Sequence, residues 1–113
     1  MVLPGQDPFS RHIRGGDVSY REIPATAAAA DLRLTHRSRA FSRDGISADG
    51  NLAFPLDRVR ELVEAGTIGS VSPRHLSFMG SITAPGRLVS STAPSAVDKL
   101  VEDGADIALL VPV

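Results

Sequence analysis

The 113-residue chain is long enough for one small domain and no more. Its formal net charge of −1 excludes a bulk electrostatic pull toward nucleic acid or an anionic membrane, and the lack of cysteine excludes disulfides and thiolate metal sites. With four Phe, one Tyr and no Trp, any core has to be built from Leu, Val, Ile and Ala.

Residues 1–24 carry Pro4, Pro8 and Pro24 among Gly5, Gly15 and Gly16 and show no sustained periodicity. This N-terminal segment is expected to be irregular and to need a partner surface for order, ahead of a partial α/β domain over 25–113. Met1–Pro8 lacks the basic and apolar regions of a signal peptide, and the longest apolar run, Ile107–Val113, is far too short to span a bilayer. A cytoplasmic location is the expectation. Ala27–Ala30 is too short to nucleate a helix and follows Pro24, which makes it a connector.

Asp31-Leu32-Arg33-Leu34-Thr35-His36 alternates apolar with polar and predicts a short strand. Asp44-Gly45 and Asp49-Gly50 mark 37–51 as loop. Pro55–Ala65 predicts a helix: Pro55 suits its first position, Leu56, Val59, Leu62 and Val63 make its stripe, and Gly66 ends it. A strand around His75–Phe78, closed by Gly80, precedes a second helix over Pro94–Asp103, capped at Thr92 or Ala93 and stopped by Gly104. Asp106–Val113 is nearly all apolar, as strands covered on both faces are. Right-handed crossovers then give a partial parallel sheet of about three strands and two helices, Rossmann-like or flavodoxin-like and incomplete at both ends. The chain stops at Val113, beside the carboxyl edge where parallel sheets place their ligands.

The residue types offer little ready chemistry. His12, His36 and His75 have no metal-ligand spacing, and no metal site is expected. Ser77, Ser81 and Thr83 lack an activating His–Asp arrangement, and Gly15-Gly16 belongs to neither a dinucleotide fingerprint nor a phosphate loop. The arginines at 11, 14, 21, 33, 37, 39 and 43 are interrupted by acids and lack an aromatic platform, so a solvated surface is the better reading. On a parallel sheet His36, Arg37 and Arg39 would share one rim with Met79, Gly80 and Ser81. Arg37 and Arg39 either grip a substrate carboxylate or are solvated loop residues. Met79–Ser81 is either a loop whose backbone approaches a ligand or an ordinary turn. These six residues form the candidate substrate-binding set.

Five words stand in order along the chain: Gly-Asp-Val-Ser-Tyr-Arg-Glu-Ile-Pro (16–24), Thr-His-Arg-Ser-Arg (35–39), Asn-Leu-Ala-Phe-Pro-Leu-Asp-Arg (51–58), Pro-Arg-His-Leu-Ser-Phe-Met-Gly (73–80) and the closing Leu-Leu-Val-Pro-Val. Together they resemble the selenoprotein B family of glycine, sarcosine, betaine and D-proline reductases, over Gly16 to Val113. The resemblance implies reductive C–N cleavage of a small amino-acid-like substrate. It also implies a selenocysteine or cysteine directly after the position of Val113, other reductase subunits in an oligomer or complex, and a pyruvoyl group on a partner subunit. A selenocysteine codon read as stop would end a chain at this point. This chain alone, without its redox residue, is then expected to be inactive. The alternative is a non-catalytic α/β module that binds a partner subunit or a small anion.

Overall fold

The structure, a computed structural model, describes residues 1–38 and 40–113. Two strands form its sheet, β1 (Tyr20–Pro24) and β2 (Arg74–Phe78), and the chain also forms three α-helices, α1 (Asp44–Ala48), α2 (Leu56–Glu64) and α3 (Ala93–Glu102). The pairing is antiparallel, with Tyr20 opposite Phe78, Glu22 opposite Leu76 and Ile23 opposite His75. The chain is therefore mixed α/β, but the expected parallel sheet does not occur among the described residues.

Successive residues of a strand point to opposite faces, and each face here has its own cover. Tyr20, Glu22 and Arg74 face α3. Lys99 pairs with Glu22 at 3.2 Å, the Tyr20 hydroxyl lies 3.1 Å from Ser95 Oγ, and Arg74 reaches Asp103 at 2.7 Å. Arg21, Ile23, His75 and Ser77 face the N-terminal segment and the start of α2. Arg21 lies over the Phe9 ring at 4.4 Å, His75 meets Phe54 edge-on, and the amino group of Met1 donates to Ser77 Oγ at 2.8 Å. Ile23 is fully buried between these layers.

Residues 1–24, expected to be irregular, thus contain a sheet strand and also contribute core. Val2, Phe9 and Met79 form a buried cluster. Val2 exchanges both backbone hydrogen bonds with Arg33 (2.9 and 2.8 Å) as an isolated bridge. That bridge is all the β pairing found in 31–36, whose alternation predicts a strand. Its first residue closes a 3-10 turn, Ala29–Asp31. The loop predicted over 37–51 holds α1 and a second 3-10 turn, Gly50–Leu52, whose capping residue Asp49 accepts from Asn51 N–H. Asp106–Val113 runs without a ladder partner, and Ile107 and Leu110 are 87% and 86% exposed. The crossover rule assumes that the strands flanking α3 share a sheet, whereas β2 pairs instead with β1.

The two helices stand close to their predicted bounds. Leu56 anchors α2, while Leu62 is half out of the expected stripe. Gly66 adopts φ +70°, and Gly66 N–H and Thr67 N–H close back on Val63 and Leu62 carbonyls. This is the left-handed cap a glycine permits. Before α3, Leu88–Thr92 forms a π-helical turn, so Thr92 already has helical dihedrals and does not cap with its side chain. On α3, Val97 and Val101 are exposed, and Ala96 is the buried contact. No described helix is long and apolar enough to cross a membrane.

Candidate functional site

Most of the polar residues in the distinctive words have structural work. Asp17 is buried and accepts from Ser10 N–H at 2.7 Å, from Ser19 N–H at 3.0 Å and from the Ser19 hydroxyl. Burial raises the pKa of this carboxyl, but these hydrogen bonds and Arg21 outweigh it and hold the group below the usual carboxylate range. It fixes the turn into β1. Asn51 Oδ1 accepts from Asp57 N–H at 3.1 Å, which caps the first turn of α2 from outside the helix. Arg60 ties that helix to the carbonyls of Ala25 and Ala27. Arg74 donates to both oxygens of Asp103.

The segment around His36 differs. The Nδ1 atom of His36 accepts from Ser38 N–H at 3.1 Å, and its ring stacks on Phe41 at 4.2 Å with planes 25° apart. Its carbonyl accepts from Arg43 Nη2 at 3.3 Å. Nε2 faces Gly80, where an added Cβ would stand 3.4 Å away, at contact distance. Beside it, Thr35 Oγ1 and Arg37 Nη1 are buried with no hydrogen-bond partner among the described residues. Buried donors of this kind are rare in folded proteins, because an unmade hydrogen bond leaves the desolvation cost of the group uncompensated.

The candidate set therefore meets in part. Nε2 of His36 faces Gly80, and Arg37 follows directly in sequence with a guanidinium nitrogen that has no partner among the described residues. Met79 is turned into the core with Val2 and Phe9 instead of facing the rim. Ser81 is exposed and adopts φ +57°, a left-handed conformation uncommon for a side-chain-bearing residue. Arg39 lies outside the described residues.

Sequence reasoning missed what holds this loop. Gly15 and Gly16 have φ of +87° and +106°, and a Cβ on either would come within 2.7 Å of Ala84 Cβ or Ile82 Cδ1. The Gly15 carbonyl accepts from Thr83 N–H at 2.8 Å. The glycine pair thus allows residues 81–84 to close against the turn before β1. Their bare backbone is the signal, although it fits no nucleotide motif.

Of the other histidines, His12 is exposed. His75 lies half-buried, and burial, with Arg60 nearby, lowers its pKa. No group of three or more His, Asp or Glu able to hold a metal occurs among the described residues.

No family model and no solved structure matches the chain. It is 32% identical over 95 residues to the D-proline reductase subunit gamma of Acetoanaerobium sticklandii, a match covering 84% of this chain and 38% of that protein. The chain thus spans well under half the length of the curated relative that it resembles. The match agrees with the resemblance drawn from the five words.

Proposed function

We propose that this chain is part of an amino-acid reductase complex, in which it carries one wall of the substrate site and leaves the redox step to residues outside it. The observation that carries this reading is the pair of buried donors without a partner among the described residues, Thr35 Oγ1 and Arg37 Nη1, on either side in sequence of His36, whose Nε2 faces Gly80. The similarity to a D-proline reductase subunit over 84% of the chain supports the reaction class.

In this reading Arg37, with Arg39, binds the carboxylate of a small amino-acid-like substrate, since a guanidinium offers two parallel donors to its two oxygens. Imidazole Nε2 of His36 supplies a polar contact on the same side. The backbone of Met79, Gly80 and Ser81 forms the opposite wall. The chain has no cysteine, so none of its residues fits the role of the selenol or thiol nucleophile that the resemblance implies. No bond-breaking step is assigned to this chain, and neither is the pyruvoyl group. In this reading the redox residue would follow the position of Val113, and a partner subunit would supply the pyruvoyl group.

Titration of the isotopically labelled 113-residue chain with D-proline, glycine, sarcosine or betaine tests the site. Saturable shifts at His36 and Gly80 that vanish in Arg37→Gln support it. Substrate-dependent electron transfer by the chain alone, or ligand shifts that leave His36 and Gly80 unmoved, would overturn it.

A second reading, a non-catalytic α/β module that binds a partner subunit or a small anion, draws on the lack of a nucleophile. Sequencing the native transcript through and beyond the Val113 codon separates the two. UGA followed by an open frame encoding a cysteine-containing segment favours the reductase. A different stop, or UGA without a frame after it, favours the module.

A further inference from the structure

A shallow, open depression of about 430 Å³ lies beside the His36 loop, lined by Arg11, Phe41, Ser42, Arg43 and Asp44. Its chemistry is unbalanced. Arg11 and Arg43 both line it, and neither takes part in any ion pair among the described residues, where Arg21, Arg58, Arg60 and Arg74 all do. Asp44 contributes a single carboxylate against these two guanidiniums.

The wall is held in place from behind. Arg43 is anchored through Nη2 to the His36 carbonyl, and Phe41 is fixed by stacking on the His36 ring. Arg11, Arg43 and the partly exposed Phe41 thus share the lining, with Ser42 between Phe41 and Arg43 in the chain.

We propose that this depression binds a small organic monocarboxylate, with Arg11 and Arg43 on its carboxylate and Phe41 against its apolar body. Guanidiniums pair with carboxylate in a planar two-donor geometry, and two of them around one anion give selectivity for charge as well as shape. Asp44 leaves one net positive charge among these side chains, so charge alone does not select a monoanion. Inorganic phosphate is the poorer ligand because it has no apolar body to lay against Phe41. The site uses none of the candidate residues of the substrate wall except through the backbone and ring of His36. It therefore does not depend on the reductase reading.

The experiment is an NMR titration of the labelled 113-residue chain with sodium benzoate at constant ionic strength, run beside benzamide, its neutral counterpart, and inorganic phosphate. The expected result is saturable shifts at the amides of 41–44 with benzoate, at least tenfold weaker response to benzamide, and weaker response to phosphate. Arg11→Gln should weaken benzoate binding about tenfold, the scale of one lost charge-assisted hydrogen bond. Arg11→Lys should restore part of it. Arg11 makes no hydrogen bond to the rest of the described chain, so its replacement leaves the fold intact, and an unchanged amide spectrum away from the depression verifies this. Equal binding of benzamide, tighter binding of phosphate, or benzoate binding unchanged in Arg11→Gln each overturns the proposal. The two titrations are separated by Arg11→Gln, which should weaken benzoate binding and leave the D-proline response at Gly80 unchanged; loss of both responses would overturn an independent site.

Discussion

Arg74 holds Asp103 through both carboxylate oxygens, Nε at 2.7 Å from one and Nη2 at 2.7 Å from the other. The pair joins the first residue of β2 to the C-cap of α3, and Glu22 from β1 and Glu102 close around the same guanidinium. This geometry makes α3 a lid on the sheet held by charge more than by apolar area, since Ala96 is its only buried residue. Arg74→Met should lower the thermal midpoint by several degrees. Asp103→Asn should do nearly as much, and the double variant should cost clearly less than the sum of the two. Additive effects would mean that the pair does not act as a unit. Arg74 also holds the Asp103 carboxyl below its usual range, so this contribution is present above the ordinary Asp pKa and is lost as pH falls through the lower, folded-state value.

The glycine pair before β1 gives a contrast between strained and free positions. Gly16→Ala places a Cβ 2.7 Å from Ile82 Cδ1 at φ +106° and should destabilise the chain by about 2 kcal/mol. Gly86→Ala meets open space on an ordinary backbone and should be neutral or stabilising by about 0.5 kcal/mol. Urea denaturation of both variants checks the difference. If Gly16→Ala matches wild type, the loop over 81–84 does not depend on that close approach.

Two buried bases set the pH dependence near neutrality. Burial, reinforced by Arg21, lowers the pKa of the Met1 amino group from 8.0 to about 6. Between about pH 6 and 8 the unfolded chain binds more protons there than the folded one, so stability rises with pH across that window. His75 is also lowered, from 6.5, by burial and by Arg60. Its effect lies below pH 6.5, where the unfolded imidazole protonates first and stability falls as the solution becomes more acid. Denaturation midpoints should therefore climb from pH 5.5 to 8. Acetylation of the amino terminus should flatten the upper part of the curve, and His75→Leu the lower part.

The helices α2 and α3 and the strand β2 were readable because local signals fix them: an apolar stripe, glycine stops at 66 and 104, and a compact strand run. The left-handed φ of +70° and +71° at those glycines shows the stops operating as composition predicts. Strand β1 was not readable. Only Ile23 in it is fully buried, and its opposite face is built from Tyr20 and Glu22, whose polar partners on α3 lie more than seventy residues away in sequence. Missing β1 also produced the wrong sheet, because β2 was then given the presumed parallel strands at 31–36 and 106–113 as its neighbours. The approach of His36 to Gly80 follows from neither alternation nor motif spacing. It arises from the loops around a different sheet from the one expected. The depression at Arg11 and Arg43 was hidden for a similar reason, since about thirty residues of chain separate its walls and no pattern links them.

Thr35 offers the sharpest test of whether the polar atoms near His36 await a ligand. Its Oγ1 is buried with no hydrogen-bond partner among the described residues, so it carries a desolvation cost that no described group offsets. Thr→Val at a satisfied hydroxyl ordinarily destabilises, because it breaks a hydrogen bond. Here Thr35→Val removes only an uncompensated group and keeps the shape. It should raise the stability of the ligand-free chain by about 1 kcal/mol. If Thr35 serves the proposed substrate wall, the same variant should weaken the D-proline response at His36 and Gly80, so stability and binding move in opposite directions. Urea denaturation and the titration, run on the same sample, check both. A loss of stability in Thr35→Val would show that the hydroxyl has a partner in solution, and the case for a waiting site beside His36 would then rest on Arg37 alone.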